Sequence, residues 1–321
     1  MRVLVAGATG AIGRQLVPQL IAAGHQVSAT TRSPDKTDSL QAAGADPYVL
    51  DGLDGTAVGA VVARAEPDVI VHEMTAIPTQ INLRRFDQTF GATNTLRTVG
   101  IDHLLAAARA AGVPRFIAQS YGGWPNARTG GPVKTEEDPL DPDPPAAMRP
   151  VLDAIRYLER AVTSAPLAGL ALRYGNLYGP GSSEIFVSML RRRMVPVIGS
   201  GAGVWSWLHV TDAAAATVAA ISHGEPGVYN IADDEPATVA EWLPVAARCA
   251  GARPPLRVPG WLGRLAVGEA GMSMMTQVRA CSNAKAKREL GWTPIWPTWR
   301  EGFALGLEQA YPHGHAAQVT R

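Results

Sequence analysis

The sequence predicts an α/β fold, a doubly wound parallel sheet followed by a smaller and less regular C-terminal lobe. Three observations predict it. Short apolar runs bounded by Gly, Pro or Asp alternate with Ala- and Leu-rich helical stretches through the first half of the 321-residue chain. The first of these runs passes directly into a glycine-rich turn and then an apolar helix. After Asn176 the alternation gives way to Pro- and Trp-rich connections. The expected division is residues 1–175 as a nucleotide-binding domain, with a returning segment near 207–232, and residues 176–321 as mostly a substrate lobe.

Arg2-Val3-Leu4-Val5-Ala6 reads as a buried strand, and Gly7-Ala8-Thr9-Gly10-Ala11-Ile12-Gly13 follows it. Gly7 suits the tight turn at the strand end, Gly10 a close backbone approach to a pyrophosphate, and Gly13 close packing of helix on strand. The helix N-terminus then presents unpaired N–H groups to the phosphates. Gly7, Thr9, Gly10, Ala11, Ile12 and Gly13 are therefore the expected phosphate cradle of a dinucleotide on a Rossmann fold. Pro18 falls inside the following helix and should bend it or remove a hydrogen bond. The second strand, Gln26–Thr30, carries no acid at its end, whereas Arg32 and Lys36 follow it. An acid there would bond ribose hydroxyls; arginine suits a 2′-phosphate, which favours NADP over NAD. Alternatively Arg32 simply lays its stem along the sheet edge. Asp46–Leu50, Val69–His72, Phe116–Gln119 and Leu170–Arg173 read as further strands, Gly100–Ala111 and Met148–Ser164 as helices, and Gly122–Pro150 as a long loop over the sheet edge. His72 and His209 lie in apolar strand patterns and read as structural. The residues after Pro312 read as a frayed end.

The formal net charge of +1 provides no electrostatic footprint for nucleic acid or an anionic membrane. Cys249 and Cys281 have neither metal-ligand spacing nor a disulfide framework, so no metal is expected. The chain opens on a core strand rather than a charged leader, and no apolar run approaches the roughly 18 residues of a membrane span. A cytoplasmic protein acting on a small molecule is expected, with a homodimer left open.

Several stretches resemble the extended and atypical short-chain dehydrogenases/reductases, the NAD(P)-dependent epimerase/dehydratase-like branch. They are the Gly7–Gly13 turn, Pro67–His72, Gly100–Ala108, Leu172-Arg173-Tyr174-Gly175-Asn176-Leu177-Tyr178-Gly179-Pro180-Gly181, Val228–Ala232 and Leu290-Gly291-Trp292-Thr293-Pro294. The resemblance implies that Asp51 contacts adenine, or else caps a turn, and that Tyr174 and Asn176 lie beside the nicotinamide, Asn176 alternatively supporting its loop. It also implies a serine that holds the substrate oxygen, matched by Ser120, and a Tyr-x-x-x-Lys pair that exchanges the proton. That pair is missing: no tyrosine in this chain has lysine four residues on. Anchoring the helix on Glu159 puts Val151 and Ile155 in the two places; anchoring on Pro142 puts Ala146 and Pro150 there. Tyr121, next to Ser120, either donates a proton to a bound carbonyl or packs on the cofactor. Tyr157 lies about 200° round the helix from Ile155 and points elsewhere.

Relatives acting on nucleotide sugars place an arginine where this chain has Trp205. With Trp124, Trp205 implies an apolar, aromatic-lined substrate pocket, unless both only pack the lobe. Two functions stay open. One is an NADP(H)-dependent oxidoreductase acting on a small, mostly apolar carbonyl or alcohol. The other is an NADP-binding protein without redox turnover, such as a sensor, regulator, isomerase or cyclase.

Overall fold

Val3, Val5, Val69 and Val71 face one side of the sheet while Leu4 and Ile70 face the other, because side chains alternate along a strand. Strands apolar on both sides must be covered on both. The computed structural model, which describes residues 1–78 and 81–307, shows this arrangement; the stretch after Pro312 lies outside the described residues. Strands β1 (Arg2–Ala6), β2 (Gln26–Thr31), β3 (Asp46–Val49), β4 (Val69–His72), β5 (Arg115–Tyr121), β6 (Ala168–Tyr174) and β7 (Gly227–Ile231) form one parallel sheet in the order β7-β6-β5-β4-β1-β2-β3. β1 pairs with β2 through Val3↔Val27 and with β4 through Val3↔Val69. The chain thus winds outward to β3 and returns to the far side of β1, which opens a crevice at the carboxyl ends of β1 and β4.

Helices α1 (Gly13–Ala22), α2 (Thr37–Ala42), α3 (Gly55–Ala65), α4 (Ile101–Ala110) and α5 (Arg149–Thr163) connect the first six strands. α6 (Glu184–Arg191), α7 (Val210–Ser222), α8 (Val239–Cys249), α9 (Gly260–Thr276, broken at Gly268), α10 (Ala284–Leu290) and α11 (Trp299–Gly306) follow. Leu16, Val17 and Leu20 of α1, Ala213 and Ala216 of α7 and Leu290 of α10 cover one face of the sheet. Val58 and Val62 of α3, Leu104 of α4, and Leu158 and Val162 of α5 cover the other. Pro18 sits on the exposed side of α1 without ending the helix. A π-helical turn, Leu96–Gly100, precedes α4.

The Gly122–Pro150 segment is a pinned strap. Its Val133–Lys134 pairs in parallel with Ala280–Cys281, Asn126 bridges Leu140, and the Asn126 side-chain amide donates to the Arg279 carbonyl at 3.3 Å. It ends in α5, where Pro150 occupies the first turn and its missing N–H breaks nothing. A second core gathers Tyr178, Trp207, Trp242, Trp299 and Phe303 with Val197, Val239 and Leu243. Its rings meet edge to face, Tyr178–Phe303 at 5.1 Å and Trp207–Trp242 at 4.9 Å between centroids. No helix among the described residues is long and apolar enough to cross a membrane.

Candidate functional site

The turn after β1 takes the shape a diphosphate needs. Gly7 has φ 98°, and a Cβ there would stand 2.7 Å from the Glu73 carbonyl carbon, so the position admits only glycine. A Cβ on Gly13 would come within 2.5 Å of the Ala8 carbonyl oxygen, which is how close α1 packs on the turn. A Cβ on Gly10 would meet only the Gly7 carbonyl oxygen, at 3.3 Å, leaving its other side open. Gly10 N–H donates to Gly7 and Arg14 N–H to Gly10, but those of Ala11 and Ile12 find no acceptor among the described residues. Two free donors at a helix N-terminus beside an open glycine fit a pyrophosphate.

Thr9 and Thr31 hydroxyls, 3.3 Å apart, tie this turn to the end of β2. Beyond it Arg32 is exposed, with no ion pair among the described residues. Lys36 lines a cavity of about 370 Å³ with Thr9, Arg14 and Ser39. Arg14, which the sequence reading passed over, donates from Nε to the Thr9 carbonyl at 3.0 Å and adds a second cation to that wall. Asp51 is exposed, and its Oδ1 accepts from the Leu53 N–H at 3.1 Å, the turn-stabilising role. Across the crevice Gly181 (φ 83°) lies against the glycine turn: a Cβ on it would stand 3.7 Å from the Ala11 Cα.

At the end of β5, neighbouring side chains point to opposite faces. Ser120 is 1% exposed and donates to Glu159 Oε1 at 2.7 Å. Arg173, its register partner on β6, donates from Nε and Nη2 to the two Glu159 oxygens at 2.7 Å each. The Ser120 hydroxyl therefore faces α5 in this structure and ties strand to helix. Tyr121 donates to Asn176 Oδ1 at 2.7 Å, and Asn176 Nδ2 donates to the Ser206 carbonyl at 3.0 Å. Both ends of that amide are committed, so Asn176 supports its loop and orients Tyr121. Burial pushes the Tyr121 phenol well above its ordinary value, with the Arg97 charge opposing; at neutral pH it stays protonated.

Tyr174 is completely buried, its hydroxyl 2.6 Å from Thr217 Oγ1 and donating to Glu73 Oε1 at 3.0 Å. In this structure it belongs to the sheet core. Burial pushes the Glu73 carboxyl up to about 8, against the bond from Tyr174. Burial brings His72 and His209 down to about 4. His72 Nε2 lies 3.4 Å from the Leu96 carbonyl and His209 Nδ1 accepts from Thr211 N–H, structural roles in both cases.

On α5, Val151 and Ile155 are 2% and 0% exposed and pack with Phe86, Trp124, Met148 and Leu152. Ala146 and Pro150 of the other register are exposed. The acid–base places thus correspond to Val151 and Ile155, inside an apolar cluster. Trp124 stands edge-on to Phe86 at 5.5 Å within that cluster, a packing role in place of the open pocket wall expected. Trp205 donates its indole N–H to the Met274 carbonyl at 2.9 Å and leans on Trp242 at 4.9 Å, so it packs the lobe and touches the same cluster. Tyr157 points away and donates to Asp102.

The structure adds, beside Arg14, a further residue that sequence reasoning missed. Arg97, in the π-helical turn packed on α5, is 7% exposed and has no hydrogen bond or ion pair among the described residues. Desolvation lowers its pKa to about 10, while the neighbouring Tyr121 and Glu159 raise it. A lone arginine in Leu96-Arg97-Thr98-Val99-Gly100-Ile101 was its only sequence signal.

Comparison with known proteins places the chain in a family. Residues 3–232 match the model of the NAD dependent epimerase/dehydratase family. A "3-diazoavenalumate denitrifying reductase" from a Streptomyces species is 44% identical over 316 residues, 96% of this chain and 100% of that protein. A "4-hydroxy-2-methyl-3-oxo-4-farnesyl-3,4-dihydroquinoline-1-oxide ketoreductase" from Stigmatella aurantiaca is 27% identical over 351 residues, 100% of both chains. The NAD complex of a Thermus thermophilus UDP-glucose 4-epimerase superposes with a TM-score of 0.74 at 26% identity, covering 96% of this chain and 98% of the epimerase.

Proposed function

The chain belongs to the NAD dependent epimerase/dehydratase family, and from that premise we propose that it is an NADPH-preferring reductase of small aromatic acceptors that need no proton from the enzyme. Family and relatives mark a nicotinamide-dependent enzyme of redox type acting on a small molecule, which favours turnover over cofactor sensing. The observation that carries the finer reading is the pair Val151 and Ile155, sealed among apolar side chains where a proton relay would stand.

The residues present fit the cofactor. Ala11 and Ile12 would hold its diphosphate, and Arg32, Lys36 and Arg14 a 2′-phosphate. When bound, the reduced nicotinamide supplies a hydride. A carbonyl that accepts hydride becomes an alkoxide and needs a proton. A diazonium-bearing ring carbon does not: it gains a C–H bond, and its C–N bond breaks with the bonding pair leaving in dinitrogen. The substrate goes from cation to neutral arene and no oxyanion forms. The 44%-identical relative is named for such a reductive loss of nitrogen. Because alkyl diazonium ions decompose unaided, a persistent one is aromatic, which suits the partly buried rings of Phe90 and Tyr121 that lie against the Phe86 and Trp124 cluster. The residues of this chain then have to bind, orient and exclude water.

The test is anaerobic turnover of ring-diazotised 4-hydroxycinnamate with each 4-deuterated stereoisomer of NADPH. Deuterium at the carbon that lost nitrogen, with one dinitrogen per NADPH, is expected. Unchanged substrate would overturn the reading. The protonated Tyr121 hydroxyl, aimed at Asn176 within the field of Arg97, favours a second reading, carbonyl reduction with Tyr121 as donor. In that case a ketone panel is reduced and Tyr121→Phe lowers turnover by on the order of 10²-fold.

A further inference from the structure

We propose that Arg97 is the docking point for an anionic oxygen of the substrate, so that this site takes small aromatic acids in preference to their neutral analogues. The proposal deepens the reductase reading and rests on it for the word substrate. The geometry supports it in four ways.

Arg97 is nine-tenths buried and no described residue bonds it, yet none of its guanidinium nitrogens is fully buried, so the charged head keeps an open side. A buried charge without a partner is expensive, and proteins rarely keep one. The nearest carboxylate does not neutralise it: Glu159 is already gripped at both oxygens by Arg173 and also accepts from Ser120. His72, the other titratable group Arg97 acts on, is buried and neutral at ordinary pH. Arg97 therefore keeps a positive charge that no ion pair among the described residues offsets.

The charge is placed where a ligand would meet it. Arg97 acts on Tyr121, and Tyr121 ends β5 on the carboxyl side of the sheet, where ligands of doubly wound folds bind. The phenol is a ready second donor, its present acceptor being only the Asn176 amide oxygen. A guanidinium and a hydroxyl together suit one oxyanion, with charge-assisted bonds stronger than neutral ones. The surroundings of the phenol are aromatic: Tyr121 and Phe90 are partly buried against a cluster that holds Phe86 and Trp124, with Phe90 4.6 Å from Phe86. Finally, Arg97 projects from a π-helical turn, a distortion found frequently at functional sites.

The anionic oxygen is either a carboxylate or a ring phenolate, and the probes separate them. Calorimetric titrations of the NADP⁺-loaded protein would use 4-hydroxycinnamate, its methyl ester and its 4-methoxy ether. In the wild type, neutralising the docking oxygen should weaken binding at least about tenfold, by ester for a carboxylate or by ether for a phenolate. Arg97→Gln should close that gap, and Arg97→Lys should restore part of it. Three equal affinities in the wild type, no binding of any, or an undiminished gap in Arg97→Gln would each overturn the proposal. Thermal melting of the ligand-free proteins is the second measurement. Removing an unpaired buried charge should raise the melting temperature of Arg97→Gln, whereas a merely structural arginine would lower it. Neither readout involves turnover. A failed deuterium experiment with the affinity gap intact removes the reductase chemistry and keeps the anion site; the converse keeps the reductase and removes Arg97.

Discussion

Two buried carboxyls near the sheet end, Glu73 and Glu159, differ in their partners: Glu159 is paired with a cation and Glu73 is not. Glu73 has burial and a single hydroxyl bond, which hold its proton until about pH 8, and its Oε2 has no partner. In the unfolded chain the same group releases its proton near about 4.3. Between those values the unfolded state binds fewer protons, so folding weakens as pH rises. Glu73→Gln removes this loss. Its unfolding free energy should match wild type near pH 4 and exceed it increasingly toward pH 8, by on the order of a few kcal/mol; parallel pH curves would show that Glu73 is ionised throughout. Glu159, gripped by Arg173 and Ser120, is the opposite case. Glu159→Gln leaves Arg173 buried without its counter-charge and should cost roughly 3–5 kcal/mol. Ser120→Ala should cost only about 1–2 kcal/mol in denaturant unfolding. With its hydroxyl turned into the protein, Ser120→Ala should change turnover little; a large loss would return Ser120 to the chemistry.

At the scale of elements, the β1–turn–α1 unit and the strand alternation were legible in the sequence, because glycine sterics and strand periodicity are local. The missing pair on α5 was legible as an absence, and Glu159 as the anchor selected the register the structure adopts. What replaced the pair was not legible. Arg97 reaches the site from the turn before α4, and its meaning depends on Glu159 being claimed by Arg173 from β6, a relation among three elements far apart in sequence. The bonds of Tyr174 to Glu73 and of Ser120 to Glu159 were not legible for a related reason: a motif fixes the residue but not the partners its strand face brings to it. The end of β2 offers a separable test. Arg32→Ala and Lys36→Ala should each weaken NADPH on the order of tenfold or more, the loss of one charged hydrogen bond, and leave NADH nearly unchanged. Fluorescence titration of both reduced cofactors checks this, and equal loss for the two would move the 2′-phosphate elsewhere, with Arg14 next in line.

Across the whole molecule, the lobe decides what enters. Its aromatic core includes Trp205, tied to the Met274 carbonyl and leaning on Trp207 and Trp242. It cannot swing out to accept a diphosphate, and an indole is a poor partner for one. Arg191 and Arg193 are occupied with the Ala250 and Pro254 carbonyls. UDP-glucose, the ligand named for some structural neighbours, should therefore give no calorimetric signal here, and a clear one would show that the lobe opens a second phosphate grip. The sequence located the lobe by its Pro and Trp content but could not say which indoles face inward, since that follows from packing among α8, α11 and the Trp207–His209 strand.

The approach of Gly181 to Ala11 has a temporal meaning. A diphosphate on the Ala11 and Ile12 N–H groups, the place proposed for it, would lie beside the 179–182 turn, because a Cβ on Gly181 would stand 3.7 Å from the Ala11 Cα; release of spent cofactor is then expected to wait for that turn to lift. Opening of such segments takes microseconds to milliseconds and commonly sets the pace of turnover. The first turnover should therefore outrun the rest: stopped-flow mixing should show a burst of NADPH oxidation close to one equivalent per protein, then a slower steady rate. A linear trace from the start would mean that the hydride step itself is the clock.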